Sequence, residues 1–246
     1  MRGLTNFKTS NPVFSNFFWE NKTQSSSKMT ISGILFKSLI GILVIAGITA
    51  YIWKLNDDGV DVSWFTLGGI IGSILISVLI SYKNNWAIIL VPLFVIAKGC
   101  FLGGFSSFAH TKFPELPYQA IGVTIITFFV MFILYQSRII KVTKKLRSII
   151  ITASVSIFVV YMISFILNFF GIKSYLWGTS WFAIVFNVIA AIVASFALLL
   201  DFDFIERYKN KAPKEKEWLA TWGLLATLIW LYVEVLRLMQ KLAIRF

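Results

Sequence analysis

The sequence predicts an all-α membrane protein, a bundle of seven transmembrane helices. Three observations carry this. The chain is 58% hydrophobic and only 14% charged, whereas a soluble domain is about one quarter charged. Its mean hydropathy is +0.80. Its apolar residues gather into seven runs, each near the ~20 residues that a spanning helix needs.

The division is a cytoplasmic N-terminal tail, residues 1–32, followed by a seven-helix domain, residues 33–246. The tail is polar and mixed, without the pattern of a cleavable signal peptide. Asn21 to Lys28 reads as a linker, and Asn21-Lys22-Thr23 is a chance match to a glycosylation acceptor. Phe14, Phe17, Phe18 and Trp19 fit a partly ordered tail, with contact to the bilayer interface as the other use. The runs then lie at about Gly33–Lys54, Ser63–Tyr82, Trp86–Phe108, Tyr118–Ser137, Ser148–Phe169, Thr179–Leu200 and Leu219–Lys241. Short connections make sequence neighbours antiparallel. Trp53, Trp64, Trp86, Trp177, Trp181, Trp218 and Trp222 mark run boundaries, where an amphipathic ring favours headgroup depth. Gly68 with Gly72, and Gly99 with Gly103, have the small-xxx-small spacing that lets helices approach closely.

Orientation follows from charge. Most of the 23 Lys and Arg fall in the tail with Lys37, at Lys83, in the 4–5 loop (Arg138, Lys141, Lys144, Lys145, Arg147) and in the 6–7 loop (Arg207, Lys209, Lys211, Lys214, Lys216). The positive-inside rule puts these in the cytoplasm, with the C-terminus outside. The loop Asn56–Val62, with Asp57, Asp58 and Asp61, agrees. The cationic C-terminal end, with Arg237, Lys241 and Arg245, does not.

The membrane makes ionisable residues informative. Lys98 and Glu234 lie well inside their runs, and Arg237 follows Glu234 by three. Each costs at least ~2.5 kcal/mol if it faces lipid at mid-bilayer, so each calls for a partner. Lys98 lies about 18 Å along its helix from Trp86, and Glu234 about 22 Å from Leu219. A Lys98–Glu234 pair is therefore open, as is a local Glu234–Arg237 pair. The run ending at Leu200 leads directly into Asp201, Asp203 and Glu206, acids at the unfavourable end of a helix dipole. Arg207 is a local partner for Asp203, and Lys83 is a partner for Asp201.

Several functions are excluded. The net charge of +12 lies between apolar runs and suits an anionic membrane face rather than a nucleic acid. One Cys and one His exclude an intrachain disulfide and argue against His-rich metal enzymes. No nucleophile–base pair or phosphate loop marks an enzyme. The last run has no mid-membrane lysine for retinal, although Lys98 could in principle form a Schiff base.

Asn11-Pro12-Val13, Met29-Thr30, IKVTKKLR (140–147), LDFDFIE (200–206) and GLLATLIWLYVEVLRLM (223–239) carry a resemblance. On these motifs the chain resembles the Bax inhibitor-1/YccA-type family of the TMBIM superfamily, in its bacterial branch with a long tail. The resemblance implies seven helices with the last at the centre. It also implies a pH-sensitive calcium leak gated near the cytoplasmic end by an aspartate pair from helices 6 and 7, with a basic residue from helix 2. Asp201 takes the helix 6 position and Lys83 the basic one. The helix 7 position is Thr227, so Asp203 or Glu206 would stand in for the second acid, and Asp201 with Asp203 would make a weak calcium contact. Lys98-Gly99 stands where the family usually has Glu-Gly. Calcium enters as a permeant ion, with no resident cofactor. The competing expectation is a non-conducting regulator that binds a membrane protease or a secretion component. Beyond the bilayer, a monomer is expected.

Overall fold

The computed structural model describes residues 28–172, 176 and 178–245. The readings on residues 1–27, and at Trp177, lie outside the described residues. Among those described, seven helices are long and apolar enough to cross a membrane. They are α1 (Ile31–Asp57), α2 (Ser63–Tyr82), α3 (Ala87–Lys112), α4 (Leu116–Gln136), α5 (Lys144–Phe169), α6 (Trp181–Tyr208) and α7 (Lys216–Arg245), with a 3-10 turn at Asn84–Trp86 before α3. The all-α membrane fold is as the sequence predicts.

The helices outrun the apolar stretches. α5 opens four residues before Ser148, α6 continues through its carboxylates to Tyr208, and α7 starts three residues before Leu219. At 30 residues, α7 is about 45 Å long, more than the ~30 Å hydrocarbon layer. Its ends, and those of α6, therefore carry charge without carrying it into mid-bilayer. α7 is also the enclosed helix: its apolar window is 78% buried, against 11–50% in the others. A surround of protein rather than lipid lets it hold the buried Thr221, Glu217, Glu234 and Lys241.

The chain divides into two compact units, Met1–Thr111 with Phe204–Leu225, and Lys112–Asp203 with Ala226–Phe246. In the first, Thr30 is the N-cap of α1, its hydroxyl accepting from the Gly33 amide at 3.1 Å. The helix proper thus begins just ahead of Gly33, and Met29 is fully buried. The Met29 amide donates to the Ala212 carbonyl at 2.8 Å, and the Asn210 amide to the Met29 carbonyl at 2.9 Å. Thr30 donates from both backbone and hydroxyl to Glu217 Oε1, each at 2.9 Å. Lys37 donates to Glu217 Oε2. Asp61 likewise shapes the turn into α2: Ser63 donates its amide at 2.9 Å, and bonds from Ser63 hold this exposed carboxyl below the usual range.

Glycines set the helix spacing in this unit. A Cβ on Gly99 would stand 2.8 Å from Ile48 Cβ, and one on Gly103 the same distance from Ile52 Cβ. That pair lets α1 approach α3, as its spacing predicts. The α2 pair is different. A Cβ on Gly68 would meet nothing within 4 Å, whereas one on Gly69 would stand 2.4 Å from the Phe101 amide nitrogen and 2.6 Å from the Ala97 carbonyl oxygen. The contact glycine of α2 is therefore Gly69. Its neighbours are backbone and have no rotamer with which to yield.

Gly69→Ala is expected to lower stability by roughly 1–3 kcal/mol, the cost of overpacking. Gly68→Ala should stay within about 0.5 kcal/mol of the parent. Thermal unfolding of both variants in detergent checks the ranking, and equal melting temperatures would refute it.

Candidate functional site

α6 enters its last two turns with Asp201, Phe202, Asp203 and Glu206. Residues two apart on a helix point about 200° from one another, so Asp201 and Asp203 face different neighbours. Phe202, between them, packs on Phe128, Phe132 and Tyr135 of α4, with ring centroids 5.4, 5.4 and 6.1 Å away. That contact fixes the rotation of α6.

Asp203 forms an ion pair with Arg147, in the first turn of α5. Sequence offered Arg207, one turn away, and gave no sign of a partner on α5. Asp201 is 2% exposed and is hydrogen-bonded to the side chain of Thr227. Its Oδ2 has no hydrogen-bond partner among the described residues. Glu206 is exposed and pairs with Lys209. Lys83 is exposed too, its ammonium 4.3 Å from the centroid of the Trp86 ring.

Asp201 and Asp203 thus have different neighbours, and the Asp203 charge is met by Arg147. Among the described residues, no group of three or more His, Cys, Asp or Glu could hold a metal. Asp203 and Glu206, the acids named to stand in for the second carboxylate, each have their own cation. The residue that does meet Asp201 is Thr227, at the position where the resemblance implies an acid.

A second polar cluster lies further along α7. Glu234, 1% exposed, accepts from Tyr161 of α5 at 2.7 Å, from Asn187 of α6 at 2.8 Å and from Trp230, one turn back, at 3.1 Å. Three neutral donors thus satisfy a carboxylate for which sequence offered Lys98 or Arg237. The Arg237 guanidinium lies 4.8 Å from the centroid of the Tyr161 ring. Asn187 is fully buried and uses both ends of its amide: its nitrogen serves Glu234, and its oxygen accepts from Lys241. Lys241 also donates to the Leu176 carbonyl at 2.6 Å. Near the end of α7, Arg245 donates to the Thr179 carbonyl at 3.0 Å. Two of the cations that weigh against the positive-inside reading, Lys241 and Arg245, are therefore bonded to the segment leading into α6.

Lys98 sits partly buried on α3, its ammonium 5.6 Å from the Phe94 ring centroid and 5.4 Å from that of Phe101. Ring faces answer a cation electrostatically, so α3 supplies neighbours for its own lysine.

The family model described as "Bax inhibitor 1 like" matches residues 11–244. The chain belongs to this Bax inhibitor 1 like family. No curated protein and no solved structure matches it. The matched span takes in every α6 and α7 residue discussed above except Arg245. It also includes Met29-Thr30, whose burial and bonding to Glu217 give that short motif a physical reason.

Sequence reasoning missed Tyr161, Asn187, Arg147 and Glu217. Only Asn187 gave a signal, as an amide inside an apolar run. Removing it by Asn187→Ala should destabilise the protein more than Tyr161→Phe. The first leaves a buried carboxylate and a buried ammonium each short of a bond, roughly 2–3 kcal/mol. The second removes one donor of three, about 1 kcal/mol. Chemical denaturation in mixed micelles reads the order, and a larger loss from Tyr161→Phe would show that the Asn187 bonds carry little.

Proposed function

We propose that this Bax inhibitor 1 like protein is a pH-responsive calcium leak of the cell's inner membrane, with its N-terminus in the cytoplasm, its C-terminus outside and its gate at Asp201. One observation carries the reading. Asp201 is buried, is met by a hydroxyl, and keeps one oxygen unpartnered among the described residues. Asp203, Glu206 and Glu217 each have a cation, and Glu234 has three donors. Asp201 stands apart.

The chemistry follows from that contrast. An ionised carboxylate away from water needs a counter-charge, and Thr227 provides only a dipole. A proton or a passing cation supplies what is missing. Protonation also gives the carboxyl a donor beside its remaining acceptor capacity, and a new donor in a buried site seeks an acceptor. Competition between proton and cation at one carboxylate makes cation flux depend on pH, and a shift in the Asp201–Thr227 contact moves α6 against α7. Lys241 and Arg245 stand on α7 itself and are bonded to carbonyls ahead of α6, which supports the orientation, because the positive-inside rule weighs loop residues.

Calcium flux into proteoliposomes across about pH 5–8 tests this. The parent is expected to show a pH-dependent flux and Asp201→Asn a flat one, since an amide cannot titrate. Lys98→Glu, which restores the acid usual in the family, is expected to raise the flux. An unchanged pH profile in Asp201→Asn would sink the gate. Absence of flux from all three proteins would favour the non-conducting regulator that binds a membrane protease or a secretion component.

A further inference from the structure

The segment joining α4 to α5 presents Arg138, Lys141, Lys144 and Lys145, all exposed. Among the described residues none of the four has an ion-pair partner. Their placement is electrostatically adverse. Lys144 and Lys145 open α5, whose first turn has no acidic residue. The N-terminus of a helix carries partial positive charge and favours acids there. Arg147, in the same turn, is answered from within by Asp203. The remaining cations add their charge to that of the helix end, and among the described residues no ion pair balances it.

Arg138 makes a second, independent point. It ends α4 in the left-handed region, at φ 57°. Glycine is the usual residue at such a helix end, because any Cβ is strained there. An arginine at that position keeps a guanidinium beside the lysines at a conformational cost. The general excess of cations in cytoplasmic loops explains neither feature. It requires charge in the loop, not charge at a helix N-terminus or in a strained backbone.

The kind of anion follows from Ile139, which is 70% exposed amid these cations. α4 and α5 are both membrane spans, so their connection lies at the bilayer surface. There an apolar side chain can enter the acyl boundary while its neighbours meet phosphates. Basic segments next to a spanning helix attract anionic lipid in this way, and a guanidinium can hold a phosphate through two parallel bonds. We propose that the α4–α5 segment is a binding site for anionic lipid headgroups, with the phosphate seated among Arg138, Lys141, Lys144 and Lys145. The proposal stands apart from conduction and does not require the protein to carry calcium.

The test uses the full chain in mixed micelles of phosphatidylglycerol and phosphatidylcholine, with retained lipid counted by native mass spectrometry. The preference for phosphatidylglycerol is expected to fall at least about tenfold in Lys141→Gln/Lys144→Gln/Lys145→Gln. It should hold in Lys211→Gln/Lys214→Gln, which removes charge from the α6–α7 loop. Arg138→Gly separates binding from folding: relief of the left-handed strain should raise the melting temperature while lipid retention drops. Equal retention in the triple variant and the parent would overturn the site. So would an equal loss in both multiple variants, which would mean diffuse attraction. Displacement of the lipid by a soluble acidic peptide at matched charge would also overturn it, in favour of a protein partner.

Discussion

A carboxylate withdrawn from water must be answered by a cation, by hydrogen-bond donors, or by its own proton. The arrangement of α6 and α7 depends on that constraint. Glu217 is answered by Lys37 and both donors of Thr30, Asp203 by Arg147, and Glu234 by Tyr161, Asn187 and Trp230. Each answer draws in another helix: α1 for Glu217, α5 for Asp203, and α5 with α6 for Glu234. The buried acids are therefore tie points, and their partners dictate which helix faces which. Asp201 is the exception, with its single hydroxyl, and its functional interest comes from the completeness of the others.

Matching polar groups asks for close approach, and small side chains supply it. Gly33 shows the link. A Cβ there would stand 2.4 Å from Glu217 Oε2, so the carboxylate can reach Thr30 and Lys37 only across a bare backbone. Gly99, Gly103 and Gly69 do the same for apolar contacts, where in a membrane packing rather than water exclusion holds helices together. Proline has its own role in α3: Pro92 lies inside the helix and removes one backbone donor.

The sequence made the seven spans legible because continuous apolarity needs no knowledge of partners. It also singled out Asp201, Thr227, Glu234 and Lys98 as residues with something to explain. It did not reveal how they are explained. Thr30 and Glu217 are 187 positions apart, Asn187 and Glu234 are 47 apart, and Arg147 and Asp203 are 56 apart. Local spacing favours Arg207 for Asp203 and Arg237 for Glu234, and it carries no information about a remote helix. The choice between Gly68 and Gly69 failed for a related reason. Both fit a small-residue motif, and only the rotation of α2 against α3 decides which one is needed. The helix ends were misjudged because hydropathy stops at the first charge, whereas a helical backbone does not.

The junction at Met29 and Thr30 bears on how the molecule is assembled. α1 leaves the ribosome well before α7, yet its capping residue is bonded to Glu217 and the residue before it to Asn210 and Ala212. Those groups are synthesised after five further spans. Until they arrive α1 must wait in the bilayer with its first turn unfinished, and Lys37 and Thr30 must be satisfied by water or headgroups. Completion of α1 therefore depends on the synthesis of α7. A chain truncated before α7 would lack the groups that finish α1, so quality-control machinery that surveys exposed polar residues in the membrane would find the defect six spans away from the truncation.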